Sequence, residues 1–459
     1  MVQNSLVHRG ASALLGGVFA IWYVYLRPAS APVEVVKEEE MALPLPDKPS
    51  IAVLPFASIG GDPEQEYLSD GITEQIITNL SKHPDMFVIA RNSTFTYKGK
   101  PVKVQQVSRE LGVRYVLEGS LQRSGDAIRV TAQLIDATTG KNLWSESYHR
   151  GLKDIFALQD DISLKILDAM HVKLTGGVGR RAFGKGTDNL QAYLKYLHAR
   201  HYFFETHASS LTKESFIQFR QLVEEAVSLE PNFSYAIAWL AFSYQWEVLQ
   251  GFSESPAASL KKAFELSRRA VELDDSDPWP HITLGWLYMA NWEFDKAVAE
   301  GVRAVTLAPS THWAHRELGV FLMCADRTEK AIAEMKKALR LNPHYEVADL
   351  SWLSFAYYYD DQYEKALEVG KAILDRDPDY LPTHHLNATI YSHLGREEEA
   401  RAEAKDLLRI NPTFSVRWVE NWPHADKQKV HRQASDLRKA LESAGWSEPE
   451  QQAARIDVR

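Results

Sequence analysis

PWPHITLGWLYMANWEFDKAVAEGVRAVTLAP, at residues 278–309, is followed at 311–343 by THWAHRELGVFLMCADRTEKAIAEMKKALRLNP, and the two stretches share one spacing of small, aromatic and proline residues. The spacing continues along the chain, where four alanines and four prolines recur at intervals of 34, 35 and 34 residues: Ala297, Ala331, Ala366 and Ala400, and Pro309, Pro343, Pro378 and Pro412. A fixed period of this length is typical of an array of supersecondary units that stack on their neighbours.

Each residue type in the period has a physical reason. Small residues let two helices approach closely, large apolar residues fill the layer between them, and proline ends the second helix. Upstream, Leu240 and Ala241 fit one more unit with an insertion near 251–257, and 190–231 forms a degenerate first unit. The pattern therefore predicts an all-α solenoid of about six helix pairs over 188–412. A capping helix near 427–444 and a tail complete the predicted region 413–459.

This spacing resembles the tetratricopeptide repeat (TPR), in which the first helices of the pairs line a concave groove. Aligning the repeats places seven aromatic residues on those inner faces: Phe242, Trp246, Trp279, Trp286, Trp313, Tyr358 and Tyr359. The alternative is that individual rings simply pack between helices. Large rigid rings are enriched at interface hot spots, so the set predicts a groove that binds protein or peptide partners.

The region 49–174 has a different pattern. Residues 51–56 form an apolar run of strand length, and a helix follows, with Ser69 or Asp70 as its predicted N-cap. Residues 104–111 indicate a second helix. Apolar and polar side chains alternate over 128–134, which is typical of a strand with one solvent-exposed face. These signals predict a small α+β domain ahead of the solenoid.

Ordered blocks within this region carry a second resemblance: PSIAVLPF at 49–56, EYLSDGITEQIITNLS at 66–81, VIARNSTFTYKGK at 88–100 and ELGVRYVLEGS at 110–120. They closely resemble the TolB-like N-terminal domain, related to FlgO, of bacterial envelope proteins. In that family the domain commonly precedes tetratricopeptide repeats and often follows a class III adenylate cyclase domain or an OmpR-type winged helix. The sequence before residue 49 has room for neither module, so we expect no cyclase catalytic domain here.

The N-terminal sequence predicts a membrane anchor. Residues 10–26 carry no charge and are flanked by Arg9 and Arg27; as a helix they span about 25 Å, close to the bilayer core. A buried core helix and a signal peptide cleaved after 29–31 are the alternatives, but Pro32 hinders cleavage. After a tail at 1–9, the anchor leads into a Pro- and Glu-rich linker at 27–48. The charge bias favours a single pass through the bacterial inner membrane, with the bulk of the chain in the periplasm.

Composition and spacing argue against several classes of site. Lys and Arg total 52 against 61 Asp and Glu, a net charge of −9 that argues against nucleic-acid binding. Cys324 is the only cysteine, which excludes intrachain disulfides and thiolate zinc sites. The stretch 179–185, GRRAFGK, nearly matches a phosphate-binding loop but lacks the following Ser or Thr. We interpret it as part of a hinge at 175–187.

Two clusters of polar residues remain as weaker metal candidates. His312, His315, His384 and His385 lack a convincing carboxylate set, and Asp62, Glu64, Glu66 and Asp70 lack calcium-loop spacing. Favourable charge at a helix start explains the acidic cluster more simply. We therefore predict no catalytic, cofactor or metal site.

Together these patterns favour a membrane-anchored, non-enzymatic scaffold that mediates protein–protein interactions in the bacterial envelope, as a subunit of a larger complex or as a homo-oligomer. The alternative is the sensory or regulatory component of a signalling system related to TPR-containing adenylate cyclases but lacking their catalytic domain.

The predicted anchor can be tested by fractionation. Because residues 10–26 are uncharged and Pro32 hinders cleavage, the full-length protein should sediment with membranes and resist carbonate extraction. N-terminal sequencing provides the check, since a mature chain beginning near residue 32 would contradict the anchor.

Overall fold

The computed structural model describes residues 36–60, 63–172, 187–205 and 212–449. The predicted anchor at 10–26 and the loop-like stretch 179–185 lie outside these ranges. Within the described ranges, every helix is too short or too polar to cross a bilayer.

The first described domain, here the sheet domain, contains one mixed sheet. Its strands are β1 (Ser50–Val53), β2 (Ala57–Ser58), β3 (Phe87–Val88), β4 (Tyr115–Ser124), β5 (Ala127–Asp136) and β6 (Lys141–Gly151). They lie in the order β3-β1-β4-β5-β6, with β2 beside β4. β1 pairs in parallel with β3 and β4, and β4, β5 and β6 form an antiparallel meander.

Four helices accompany this sheet: α1 (Pro63–Ser81), α2 (Arg91–Phe95), α3 (Val104–Leu111) and α4 (Ile155–Ala169). The alternation of β1 separates two cores: Ile51 faces a cluster with α1 and α4, and Ala52 faces a cluster with α3. Helix α3 has its predicted bounds. The predicted N-cap of α1 was wrong, because α1 begins at Pro63 and both Ser69 and Asp70 lie within the helix.

The described residues from 190 to 410 form six consecutive helix pairs. Their helices are α5 (Leu190–Glu205) and α6 (Lys213–Leu229), α7 (Ser234–Leu249) and α8 (Pro256–Leu273), α9 (Pro278–Ala290) and α10 (Phe294–Leu307), α11 (His312–Cys324) and α12 (Thr328–Leu341), α13 (Val347–Tyr359) and α14 (Tyr363–Leu374), and α15 (Leu381–His393) and α16 (Glu397–Ile410). We number the pairs one to six. Close approach explains the small residues: a Cβ on Gly285 would overlap the ring of Phe321 in the next pair.

The turn inside each of pairs three to six has the same backbone form. The second residue after the end of the first helix has positive φ, at 62° for Trp292, 57° for Asp326, 55° for Asp361 and 70° for Gly395. The next amide then bonds to a carbonyl five positions back, as when Glu293 N–H donates to the carbonyl of Tyr288 at 2.9 Å. This is the Schellman ending of a helix, which normally favours glycine.

A histidine and a glutamate link the two helices of three pairs. His281 Nδ1 lies 2.7 Å from the Glu300 carboxylate. The corresponding distance is 2.5 Å between His315 and Glu334 and between His384 and Glu403. At the same phase, pair five has the apolar residues Leu350 and Val369 instead. The histidine–glutamate pair is therefore replaced by two apolar residues at the equivalent positions of pair five.

The sheet domain docks on the loops that join successive pairs. Ser310, between pairs three and four, donates from its hydroxyl to the carbonyl of Met86 at 2.8 Å. Ala90 N–H donates to the carbonyl of Leu341 at 2.8 Å. The guanidinium of Arg340 donates to the carbonyls of Pro44, Leu111 and Gly112. These hydrogen bonds lie after pair three and at the end of pair four, so the sheet domain packs against two successive pairs of the array.

We expect the His384–Glu403 pair to make stability depend on pH. Burial lowers the pKa of His384, but the hydrogen bond and charge of Glu403, together with the hydrogen bond to the Pro378 carbonyl, outweigh burial and raise that pKa above its ordinary value of 6.5. A raised folded-state pKa contributes stability that is fully present below the unfolded pKa and is lost as pH rises through the folded one. The double variant H384L/E403V, which copies the pair-five residues, should therefore lose this component.

Thermal unfolding measured from about pH 6 to about pH 8 checks this expectation. The melting temperature of the parent protein should fall more over that range than that of H384L/E403V. His431→Leu, at an exposed position on the last helix, serves as the control and should follow the parent. Parallel curves for the parent and the double variant would contradict the assignment.

Candidate partner-binding groove

The structure places all seven predicted groove residues on first helices of the pairs. Phe242 and Trp246 lie on α7, Trp279 and Trp286 on α9, Trp313 on α11, and Tyr358 and Tyr359 on α13. The five residues of pairs two to four are half-buried, whereas the two tyrosines of pair five are fully buried. The predicted groove thus divides into two parts with different surroundings.

The half-buried part, here the open groove, is lined by Phe242, Trp246, Trp279, Trp286 and Trp313. The Trp279 ring lies 5.3 Å from the ring of Phe242 and 4.8 Å from that of Trp313, both edge to face. The Phe242 ring lies 5.5 Å from that of Trp246. These spacings are those of favourable aromatic pairs, so Phe242, Trp246, Trp279 and Trp313 form one continuous apolar surface that runs across three helix pairs. The Trp286 ring instead contacts Phe321 and Trp352, at 5.7 and 6.5 Å.

The indole N–H groups of the open groove differ in how they are bonded. Nε1 of Trp286 donates to the Glu317 carboxylate at 2.9 Å. Nε1 of Trp246 and Nε1 of Trp279 are buried and have no acceptor among the described residues. Buried donors are normally paired, so these two groups are exceptions within the groove.

A charged cluster adjoins the rings. The Arg316 guanidinium donates to Glu317 at 2.5 Å and to Asp349 at 2.9 Å. Burial disfavours both charges, yet the pairing outweighs it, raising the pKa of Arg316 and lowering that of Asp349. Burial lowers the pKa of His312 to about 4, so this imidazole is neutral at pH 7. One cation thus faces two carboxylates, and the excess negative charge beside aromatic faces favours cationic groups.

Tyr358 and Tyr359 do not line an accessible groove, which corrects the prediction for these two residues. Their exposed fractions are 0% and 1%. Residues 414–443, here the C-terminal segment, cover this part of the inner face. The imidazole of His424 stacks on the Tyr359 ring at 4.4 Å, and the Tyr359 hydroxyl donates to Gln433 at 2.6 Å.

The C-terminal segment contains two helices, α17 (Arg417–Glu420) and α18 (Lys427–Ser443). Helix α18 packs on both helices of pair six, as a cap does. The segment also extends back to earlier pairs: the Trp422 ring lies 5.9 Å from that of Trp352, and Ala425 N–H donates to the carbonyl of Cys324 at 2.7 Å. It therefore contacts the array from the end of α11 in pair four to pair six, and leaves Trp313 at the start of α11 half-buried.

Sequence reasoning missed four residues at this contact: Trp352, His385, Trp418 and Trp422. The Trp418 ring lies 5.9 Å from the imidazole of His385. The phase of the repeat also places Trp352 and His385 on first helices, so they could have been included. The covering tryptophans carry no such signal because they follow the last repeat.

The other candidate residues have structural partners. His315 and His384 are held by their glutamates, and Asp70 binds Lys98 at 2.7 Å and lies 3.1 Å from His201 Nδ1. Burial raises the pKa of Asp70, but these two partners lower it overall. Across the described ranges, no three His, Cys, Asp or Glu side chains converge as metal ligands would. The absence of a metal site stays a prediction.

Two comparisons with known sequences bear on the chain. Residues 47–164 match the family described as HilA/YgeH-like transcriptional regulator, second domain. This match does not confirm the TolB-like resemblance. A protein of Rhizobium meliloti (strain 1021), named putative adenylate cyclase 3, is 44% identical over 240 residues, which are 52% of this chain and 40% of the relative. The chain thus spans less than half the length of that relative.

Solved structures that match part of this chain include YrrB, described as a TPR protein with an unusual peptide-binding site, which is 16% identical with a TM-score of 0.31, over 41% of this chain and 92% of that one. Pseudomonas aeruginosa PilF is 18% identical with a TM-score of 0.35, over 48% of this chain and 95% of that one. By its helix pairs, their period and their shared turn, the array is TPR-like, and the sheet domain is similar to the second domain of HilA/YgeH-like regulators.

Proposed function

We propose that this protein is a non-enzymatic scaffold whose open groove binds a protein or peptide partner. The observation that carries the proposal is the continuous aromatic surface of Phe242, Trp246, Trp279 and Trp313, beside which Trp286 lies half-buried on the same helix as Trp279. Rigid aromatic rings that remain partly accessible are typical of an interface hot spot. The excess of carboxylates beside the rings favours a partner segment that carries Lys or Arg.

The proposed setting is the bacterial envelope. Residues 10–26 would anchor the chain in the inner membrane, and the charge bias would place the groove on the periplasmic side. The TolB-like motifs of 49–120 support this setting, because that family is associated with the envelope. An anchored scaffold with one groove could join a soluble or membrane partner to a larger complex.

We expect the double variant W286A/W313A to weaken partner capture about a hundredfold or more. Each buried indole contributes about 2 kcal/mol or more to binding, and about 1.4 kcal/mol corresponds to a tenfold change in affinity. Detergent-extracted protein would be immobilised, and captured proteins would be quantified by mass spectrometry against the parent.

Trp144→Ala is the matched control, because it removes a half-buried indole from β6 of the sheet domain. Partners captured by the parent and by Trp144→Ala, but not by W286A/W313A, would support the groove. Circular dichroism and thermal unfolding must show that W286A/W313A remains folded, since truncating a packed tryptophan costs about 3–5 kcal/mol. Equal capture by a folded W286A/W313A would refute the proposal.

A second candidate function is the regulatory part of a signalling system. Its support is the 44% identity over 240 residues to the protein named putative adenylate cyclase 3, and the match of 47–164 to a regulator's domain. Under this second hypothesis the open groove would bind a signalling protein, and a separate protein would carry the catalytic activity that is regulated.

Both candidates predict that the purified full chain does not make cyclic AMP. The assay supplies ATP with Mg²⁺ or Mn²⁺ and measures cyclic AMP, with an authentic cyclase as the positive control. Formation of cyclic AMP that is lost on replacing Lys185 by alanine would contradict the non-enzymatic assignment and give the stretch 179–185 a role.

A further inference from the structure

Three turn residues of the array contact the C-terminal segment although each has a backbone conformation that favours glycine. Lys427 Nζ lies 2.9 Å from the ring centre of Trp292. Lys429 Nζ lies 2.6 Å from Asp326, and Arg432 lies 2.8 Å from Asp361. These residues occupy equivalent positions in pairs three, four and five, at φ of 62°, 57° and 55°.

The equivalent turn of pair six has Gly395, beside which a side chain would meet no other atom within 4 Å. Glycine therefore occupies the turn that makes no such contact, and larger residues occupy the turns that do. A non-glycine residue at positive φ costs roughly 1 kcal/mol. The three side chains therefore contact the segment from turns that favour glycine, although Asp361 also accepts from the Tyr363 hydroxyl at 2.6 Å and Trp292 lies 5.8 Å from the Phe294 ring.

The segment also presents its aromatic residues in a regular pattern. Phe414, Trp418 and Trp422 are spaced four residues apart. The rings of Phe414 and Trp418 lie 6.0 and 5.9 Å from His385, and the ring of Trp422 lies 5.9 Å from Trp352. Four-residue spacing places side chains on one face of a helix, so a helical segment could present the same three rings.

We infer that residues 414–436 act as an internal ligand of the inner face of pairs four to six, and that this surface binds a partner helix with aromatic residues at four-residue spacing followed by basic residues. Such a partner would displace the segment and extend the open groove. This inference rests on the proposed function in that the inner face is taken as the partner-binding surface.

The anchoring ion pairs are suited to exchange. The side chains of Lys429 and Asp326 are 20% and 38% exposed, and those of Arg432 and Asp361 are 34% and 55% exposed. Ion pairs that water reaches are weak and are easily replaced by equivalent pairs with another chain. By contrast, the rings beneath the segment are buried, so uncovering them would create an apolar surface that requires a new cover.

The full-length variant D326G/D361G tests the inference. Glycine suits the positive φ of both turns, so the array keeps its helix endings while the segment loses two anchors. Amide hydrogen exchange should become at least tenfold faster in 417–436 and remain unchanged in helices α9 to α12. Gly395→Asp is the matched control, because it places the same residue type in a turn that does not contact the segment.

A fluorescein-labelled synthetic peptide of residues 412–436 serves as the probe for binding in trans. It should bind D326G/D361G at least tenfold more tightly than it binds the parent, and Gly395→Asp should behave as the parent. Trp352→Ala in the D326G/D361G background should abolish that gain, since Trp422 then lacks its ring partner.

Unchanged exchange in 417–436 would overturn the inference, because the two anchors would not hold the segment. Faster exchange without peptide binding would also overturn it and would make the segment a structural cap only. Peptide binding together with unaltered partner capture by W286A/W313A would leave the internal ligand standing and refute the open groove instead. The two proposals therefore fail on different measurements.

Discussion

Helix α1 packs against both the sheet and the helical array, and the arrangement of the rest of the molecule depends on that packing. One side of α1 covers the sheet, and another side packs on α5, the first helix of the array. Between them the Glu74 carboxylate, with its side chain 4% exposed, lies 2.8 Å from Arg200 of α5 and also binds Arg91. A buried carboxylate is tolerable only when it is paired, so this contact fixes the two domains in one arrangement. One cluster of buried apolar side chains therefore includes both domains, from Ile51 of β1 to Ala270 of α8.

This arrangement solves a problem that every repeat array has. Each helix pair buries its apolar faces only against neighbours, so the first and last pairs need covers. Here the sheet domain covers the first pair and also contacts the array after pair three and at the end of pair four. At the end of pair four, Arg340 donates to three carbonyls of the sheet domain and of the segment before it. The C-terminal segment covers the last pair and the inner face beside it. The accessible aromatic surface is what remains between these two covers.

The period of 34 residues was sufficient to predict the helix pairs, because close helix packing requires the same residue types at the same phase in each pair. The sheet domain was predictable for a similar reason, since alternation and turn glycines are local signals. The covering of Tyr359 was not predictable, because its partner Gln433 lies 74 residues away and follows no period. The start of α1 was misplaced for a local reason: Ser69 and Asp70 are good caps in isolation, but Asp70 instead binds Lys98 within the sheet domain and contacts His201 of α5 across the domain contact.

The turn residues Trp292, Asp326 and Asp361 show how stability and function separate in this array. Each adopts a positive φ that costs roughly 1 kcal/mol or more relative to glycine. An exposed ion pair returns about 0.2–1 kcal/mol, so the contacts of Asp326 and Asp361 do not fully offset their own turns. Glycine at these turns would avoid that conformational cost, as Gly395 does in pair six. Local rules are commonly broken where a site requires it. The non-glycine turns mark the edge along which the C-terminal segment is held.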